Sequence, residues 1–190
     1  MVTRFRGTAI AEGSIAGQAA LPVRYDASYD LRKRKNGQLR MIFVSRSRAT
    51  VAERGPGDTS KKPQLADEFR RNVIDPLSAI TQIRQAVRRG ETNFTVRAYD
   101  GARRFDVVAR VLPRNPSEPG IHLEMLLKAI AGFKGESSDE GDPDDAPRVV
   151  EVTLSDDARL LPLTLSVPIW YLALDVSLAR VCETDAACSW

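Results

Sequence analysis

Residues 75–90, DPLSAITQIRQAVRRG, form the clearest helix pattern in the sequence. The Asp75 carboxylate can accept hydrogen bonds from the first free amides of a helix, and Pro76 suits the first turn because it has no N–H. Gly90 is placed to end the helix, after two arginines that favour the negative end of the helix dipole. Apolar residues recur at helical spacing and predict one apolar face: Leu77, Ile80, Ile83 and Val87.

Much of the remaining chain alternates between apolar and polar residues, which is typical of strands with one buried face. The clearest alternation covers residues 23–31 and leads to Asn36-Gly37, a pair that favours a tight hairpin turn. Asp100-Gly101 is a second hairpin signal, and Asp156-Asp157 also predicts a turn. Other segments with this pattern are 3–12, 39–44, 94–98, 105–111, 150–154, 163–167 and 174–178.

These segments predict an α+β fold that is mostly β: a large curved antiparallel sheet, open or half-barrel, with one helix packed on its concave face. Residues 121–133 fit two structures, because they contain good helix formers and also alternate cleanly. Composition alone leaves both open.

The length of 190 residues suits a single domain, 1–190. Residues 54–65 predict a loop, and residues 135–146 predict a mobile acidic loop. No apolar run reaches the roughly 18–20 residues of a transmembrane helix, so we expect no transmembrane segment. The first residues carry no signal-peptide pattern. They begin close to a strand-like segment, and we expect that the chain lacks its natural N-terminus.

Charge is unevenly distributed, although the net charge is only +3. Basic residues exceed acidic ones by 12 in residues 1–114, and acidic residues exceed basic ones by 9 in residues 115–190. Either this marks an anionic partner, or the two halves neutralise each other in the folded protein, which is the favoured interpretation.

A basic tract stands beside the first predicted turn: Arg32, Lys33, Arg34 and Lys35. It either contacts phosphates of an anionic surface or forms a solvated strand end, and the second interpretation is favoured. Aromatic residues make up 6% of the chain and are not interleaved with the basic residues, so no nucleic-acid binding is expected.

Catalytic and metal-binding patterns are weak. The sole histidine, His122, has no acidic or cysteine neighbour at ligand spacing, and Asp75 is explained by helix capping. Cys182 and Cys188 form either a small disulfide loop or two free thiols. We expect no cofactor, no metal and no enzymatic activity.

Four motifs occur in an order and spacing that together carry a family resemblance: DPLSAI (75–80), FTVRAYDGARRFDVVARV (94–111), IAGFKGE (130–136) and VVEVTLSDDARLLPLTLSVP (149–168). Over residues 22–180 the chain resembles the bacterial "domain of unknown function 3108" family. The resemblance implies a periplasmic, secreted or envelope protein without established enzymatic activity. It implies a curved antiparallel sheet with a helix in its hollow, similar to lipoprotein carriers of the LolA kind. It also implies that residues 126–133 belong to a strand.

A strongly curved sheet would leave a space between helix and concave face in which an acyl chain fits. Arg84 lies between Ile80 and Val87, close to the apolar face of the helix. It either pairs with a strand carboxylate, which is the favoured interpretation, or contacts a ligand headgroup. We therefore expect a non-enzymatic cell-envelope protein whose partner is a lipid, a lipidated segment or an envelope protein. The alternative is a structural or partner-binding module with a filled core and exposed strand edges. The expected ligand-binding residues are Tyr25, Tyr29, Phe43, Leu77, Ile80, Arg84, Val87 and Phe105.

Overall fold

The computed structural model describes residues 6–31, 34–44, 48–55, 64–133, 148–169 and 172–182. In these ranges the chain forms ten strands and one α-helix, and neighbouring strands of each sheet are antiparallel. The prediction of an α+β fold that is mostly β, with one helix, is confirmed. The strands are divided between two sheets of four and six strands, whereas the sequence analysis predicted one large curved sheet.

The first sheet contains four strands that follow the chain in order. They are β1 (Arg6–Ala16), β2 (Ala19–Leu31), β3 (Arg34–Val44) and β4 (Arg48–Arg54). One face of this sheet is apolar because alternate residues of each strand point to the same side. Tyr25 and Met41, which stand opposite each other in β2 and β3, are both buried on that face.

The prediction of a hairpin turn at Asn36-Gly37 is wrong. The pairing of β2 with β3 begins at Leu31 and Arg34, so the connection lies between those two residues, and Gly37 stands inside β3 opposite Tyr29. A Cβ atom at Gly37 would lie 2.4 Å from Cε2 of the Tyr29 ring. A side chain at this position would have to displace that ring, and glycine inside a strand often marks such a close approach.

The helix α1 (Pro76–Arg88) begins and ends close to the predicted residues. Oδ1 of Asp75 accepts hydrogen bonds from Leu77 N and Ser78 N, each at 2.9 Å. Gly90, just beyond the helix, has a φ of 77°, a conformation that costs glycine little. A short 3₁₀ helix (Asp67–Arg70) precedes α1.

The second sheet contains six strands in the order β10-β9-β8-β7-β6-β5, so each strand pairs with its neighbour along the chain. The predicted turn at Asp100-Gly101 is confirmed, because Oδ1 of Asp100 accepts hydrogen bonds from Ala102 N and Arg103 N. The strands are β5 (Asn93–Tyr99), β6 (Arg104–Val111), β7 (Ile121–Ala131), β8 (Arg148–Leu154), β9 (Pro162–Ile169) and β10 (Leu172–Ser177).

Two more local predictions concern the second sheet. The predicted turn at Asp156-Asp157 is confirmed, since Oδ1 of Asp157 accepts hydrogen bonds from Arg159 N and Leu160 N. The stretch that fitted both helix and strand is the strand β7, followed by Gly132 with a φ of 83°. Alternation therefore outweighed helix propensity there, because both strands beside β7 pair with it.

Two hydrophobic clusters hold the sheets to the helix region. In the first, Ala79 and Ile83 of α1 pack on β5, β6, β7 and β8 of the second sheet. In the second, Val73 and Leu77 cover the apolar face of the first sheet. Tyr99, at the end of β5, is fully buried in this second cluster and so connects the two sheets.

Part of the predicted loops cannot be compared with the structure. Residues 56–63 of the predicted 54–65 loop and all of the predicted acidic loop, 135–146, lie outside the described residues. In the described ranges, the chain has no helix with the length and apolar character needed to span a membrane.

Candidate functional site

A largely apolar groove lies where the β1–β2 hairpin meets the start of α1, and we call it the β1–α1 groove. It consists of two adjoining cavities of ≈ 400 Å³ and ≈ 300 Å³, which share Ser14, Ala20 and Leu21. The larger cavity is also lined by Pro22, Val23, Phe43, Asn72, Val73 and Ile74. The smaller cavity extends along the helix to Leu77, Ser78 and Thr81 and along β1 to Ile15.

The strand side of the groove is shaped by an irregularity in the pairing of β1 with β2. The register shifts between Glu12 and Gly13, which leaves Val23 out of the pairing while Gly13 stands opposite Pro22. A Cβ at Gly13 would lie 2.4 Å from the Leu21 carbonyl oxygen, so only glycine allows this approach. Val23 is 57% exposed as a result and borders the groove.

The helix side is shaped by the residues that lead into α1. Asn72 has a φ of 53°, in the left-handed region that asparagine tolerates better than most residues. Ile74 then forms a bridge to β5, because its N–H donates to Arg97 O at 3.0 Å and its carbonyl accepts from Tyr99 N at 2.9 Å. These bonds fix the wall that Asn72, Val73 and Ile74 form.

Asp75 lies beneath this wall and is 0% exposed. Its Oδ1 caps the helix, whereas its Oδ2 has no hydrogen-bond partner in the described part of the chain. Burial raises the pKa of Tyr25, and the negative charge of Asp75 raises it further. The Asp75 carboxylate and the Tyr25 phenol thus lie in the core behind the apolar groove. Ile74 and Leu77, which come shortly before and after Asp75 in the chain, line the groove itself.

The structure separates the predicted ligand-binding residues. Phe43 and Leu77 line the β1–α1 groove, and Tyr25 is buried in the cluster behind them. Val87 and Phe105 pack against the other cluster, between α1 and the second sheet. They therefore lie in two different parts of the core and do not converge on one cavity.

The other predicted ligand residues, Tyr29, Ile80 and Arg84, do not line the β1–α1 groove. Tyr29 covers Gly37, and Ile80 is 38% exposed. The partner of Arg84 is a backbone carbonyl and not the expected carboxylate, since its Nε and Nη2 both donate to Arg159 O.

Arg88 makes a contact of the same kind as Arg84: its Nη2 donates a hydrogen bond to Ala158 O at 2.7 Å. Burial lowers the pKa of Arg84, and the positive charge of Arg88 lowers it further. The two arginines attach the second half of α1 to the turn between β8 and β9, so their role in the structure is helix docking.

Two predicted features fall partly outside the described residues. Arg32 and Lys33 of the basic tract lie outside them, and Arg34 and Lys35 begin β3. Cys182 is disulfide-bonded, whereas Cys188, the other cysteine of the sequence, lies outside the described residues.

His122 lies on β7 and makes polar contacts that do not resemble a catalytic site. Its Nε2 is 3.4 Å from Glu118 O, and its Nδ1 is 3.2 Å from the Thr153 hydroxyl. Asp156 forms an ion pair with Arg114. In the described ranges, no three His, Cys, Asp or Glu side chains are grouped closely enough to hold a metal ion.

A row of charges crosses the other face of the first sheet, and the sequence analysis did not identify it. Arg40 Nε lies 2.7 Å from Asp26 Oδ1, and Arg40 Nη1 lies 3.2 Å from Glu53 Oε2. Arg24 Nε is 2.5 Å from Asp26 Oδ2 but is not aligned for a hydrogen bond. A cavity of ≈ 320 Å³ lies over the row. The alternation in β2 indicated that this strand has a polar face. It did not show which residues of the neighbouring strands stand opposite that face, because this depends on the strand register.

The pKa of Asp26 reflects these neighbours. Partial burial acts to raise it, but the hydrogen bond from Arg40 and the positive charges of Arg24 and Arg40 hold it below its usual range. The row therefore contains alternating opposite charges that compensate one another, which is typical of a solvated sheet face.

Comparisons with protein-family models, curated proteins and solved structures found no match to this chain. The resemblance to the "domain of unknown function 3108" family stays a prediction. Fold and site together define a mostly-β α+β protein with an apolar groove between a β-hairpin and a helix N-terminus.

Proposed function

We propose that this protein is a non-enzymatic component of the bacterial cell envelope that holds a lipid or a lipidated segment in the β1–α1 groove. The observation that carries the proposal is the groove, with its adjoining cavities of ≈ 400 Å³ and ≈ 300 Å³. Binding sites for small molecules are typically clefts of about 300–1,000 Å³ with apolar walls and few polar groups. The envelope location rests on the family resemblance.

The side chains around the groove favour an apolar ligand. Val23 and Ile15 border it and are 57% and 55% exposed, so an acyl chain would remove apolar surface from water. Ser14, Asn72, Ser78 and Thr81 supply neutral polar groups along the same walls, and the exposed carboxylate of Glu12 borders the smaller cavity. Such groups can orient the carbonyl or headgroup of a lipid while the apolar walls provide most of the affinity.

The proposed ligand position differs from the one expected from the sequence. Ala79 and Ile83 fill the space between α1 and the second sheet in a packed cluster. The groove instead uses the first sheet and the first turn of the helix, and it retains Phe43 and Leu77 of the predicted lining.

Native and denaturing mass spectrometry of protein exported to a bacterial periplasm tests the proposal. We expect a lipid-sized mass that is present under native conditions and lost on denaturation. Binding of a fluorescent long-chain fatty acid should weaken by about tenfold or more in Ser14→Trp, because Ser14 borders both cavities and the indole would fill them.

Ser117→Trp is the matched control, because Ser117 is an exposed serine between β6 and β7 that borders neither cavity. Its affinity for the fatty acid should equal that of the wild type. Protein without bound lipid in repeated preparations, together with equal fatty-acid affinities in all three proteins, would contradict the proposal.

A second candidate function is the partner-binding module with exposed strand edges. The specific observation in its favour is the exposed strand β1, which carries Ile10 and Ile15, both 55% exposed. Co-purification of a defined protein partner that Ile10→Lys abolishes would support this function, because a lysine opposes pairing at a strand edge.

A further inference from the structure

Two arginines continue the face of α1 that borders the β1–α1 groove. Leu77 and Thr81 line the smaller cavity from the helix, and Thr81 is the last helix residue that does so. Arg84 and Arg88 follow Thr81 at spacings of three and then four residues, so they lie on the same side of the helix. At a rise of about 1.5 Å per residue, Arg88 lies about 10 Å beyond Thr81 along the helix axis.

The positive charges of these two arginines have no carboxylate partner among the described residues. Both side chains donate to backbone carbonyls of the turn between β8 and β9. Asp157 of the same turn is engaged by Arg159, whose Nε lies 3.3 Å from its Oδ2. Burial and the charge of Arg88 both lower the pKa of Arg84, and no carboxylate offsets this effect. Two adjacent positive charges without a counter-charge attract an anion.

The helix dipole accounts for only part of this arrangement. It favours a positive charge in the last turn of a helix, where Arg88 lies. Arg84 lies one turn earlier and is partly removed from water. Its charge is therefore retained at a cost that the dipole does not offset.

The hydrogen bonds to the turn leave donors of both guanidinium groups available. Arg84 uses Nε and Nη2, so its Nη1 keeps two N–H groups, and Arg88 uses Nη2 alone. The planar donors of a guanidinium match the oxygens of a carboxylate or a phosphate. Because the turn carbonyls already hold both side chains, less conformational entropy is lost when a ligand binds.

The groove itself carries a charge of the opposite sign. The exposed carboxylate of Glu12 borders the smaller cavity from β1. An anionic headgroup beside Glu12 would be repelled, since like charges brought together at a binding site oppose binding. The headgroup of an anionic ligand is therefore favoured at Arg84 and Arg88, with the chain along the apolar wall that includes Leu77.

We propose that Arg84 and Arg88 bind the carboxylate or phosphate headgroup of an acyl lipid whose chain occupies the β1–α1 groove. Because this headgroup site extends the groove and rests on the proposed function, it restricts the ligand to amphiphiles with a negative charge. The two arginines then dock the helix and recognise the ligand with different N–H groups.

Displacement of the uncharged dye N-phenylnaphthylamine by three ligands of equal chain length tests the proposal: dodecanoate, dodecyl phosphate and dodecanol. In the wild type, both anionic ligands should bind at least about tenfold more tightly than the alcohol. Raising the ionic strength should reduce this preference, because salt screens the charges. These measurements need no variant, so they test the site even if an arginine substitution misfolds.

The double variant Arg84→Gln with Arg88→Gln should lose the preference and keep its affinity for dodecanol, because the contacts of the chain are unchanged. Arg84→Lys with Arg88→Lys should retain a preference, since both charges remain. The matched control is Arg97→Gln, which removes an exposed arginine of β5 that borders neither cavity of the groove. It should bind all three ligands as the wild type does.

Equal affinity of the wild type for dodecanoate and dodecanol would overturn the headgroup site and leave the groove of the proposed function intact. A wild type that binds neither the dye nor any of the three ligands would overturn both. Inorganic phosphate that binds as tightly as dodecyl phosphate would overturn a lipid as the source of the anion. A folded double glutamine variant that loses affinity for all three ligands equally would also overturn the site.

Discussion

The Tyr29 ring on β2 lies against the backbone of Gly37 on β3, where a Cβ atom would be 2.4 Å from Cε2 of the ring. A residue larger than glycine must therefore push the ring away from the sheet. The contact explains why a glycine stands in the interior of a strand, where it usually weakens the sheet.

Gly37→Ala is expected to lower the free energy of unfolding by about 1 kcal/mol, because the added methyl group displaces the Tyr29 ring. In the background of Tyr29→Ala the same change should cost nothing or stabilise the strand. Urea unfolding of the four proteins in the double-mutant cycle measures this coupling. An equal loss in both backgrounds would show that the ring is not responsible.

Asp75→Ala should lower the free energy of unfolding by about 1–2 kcal/mol, because it removes the acceptor of both capping hydrogen bonds at the start of α1. Asp75→Asn should lose less, since the amide oxygen can still accept from Leu77 N and Ser78 N. Thermal unfolding followed by circular dichroism provides the comparison. Glu68→Ala, which removes an exposed acid of the 3₁₀ helix, is the control. Equal losses for the alanine and asparagine variants would argue against the capping role.

Tyr99→Phe removes a buried hydrogen bond of 2.9 Å from the Tyr99 hydroxyl to Gly101 O. The expected loss is about 1 kcal/mol, because Gly101 O retains a second donor, Arg54 Nη2 at 3.0 Å.

Tyr99→Ala should cost more, about 3–5 kcal/mol, because the ring is part of the cluster that covers the first sheet. Hydrogen exchange should then show faster opening in both sheets, since Tyr99 belongs to β5 and packs on the first sheet. Faster exchange in the second sheet alone would show that the residue does not couple them.

The stability of the protein should depend on the ionisation of Asp26. Its pKa is lowered in the folded state because Arg40 and Arg24 outweigh the effect of partial burial. A lowered pKa means that the stabilisation is fully present above the unfolded value of about 3.9 and is lost as pH falls through the folded pKa. The difference in unfolding free energy between wild type and Asp26→Asn should therefore be constant at neutral pH and decrease below about pH 4.

Urea unfolding at a series of pH values measures this difference. Glu118→Gln, which removes an exposed carboxylate from the turn between β6 and β7, is the control. A wild-type-minus-variant difference for Asp26→Asn that does not change between neutral and acid pH would contradict the prediction.

The features that the sequence predicted correctly are formed by residues close together in the chain. Asp75 caps amides two and three residues further on, and Asp100 accepts from Ala102 N and Arg103 N across its own turn. Such bonds depend on the local residue types and very little on the rest of the fold. The helix and its ends, this hairpin and the alternating strands were therefore predictable.

The failed prediction at Asn36-Gly37 has a cause outside the local sequence. This pair is a strong turn signal by itself, but Gly37 is needed beneath a ring that lies eight positions earlier in the chain. The row of charges around Asp26 was missed for a related reason, because its members come from three strands. Their contact depends on register, and the alternation of one strand does not reveal the register of its neighbours.

The sequence by itself determined the helix, the mostly-β class and the apolar faces that must be buried, since these follow from local propensity and periodicity. Only the tertiary structure decided that the strands form two sheets, that Tyr99 of one sheet fills the core of the other, and that the groove lies beside Gly13 and Leu77. The physical reason is that side-chain alternation specifies which face of a strand is apolar. It does not specify which apolar surface that face will meet, because this depends on packing between residues far apart in the chain.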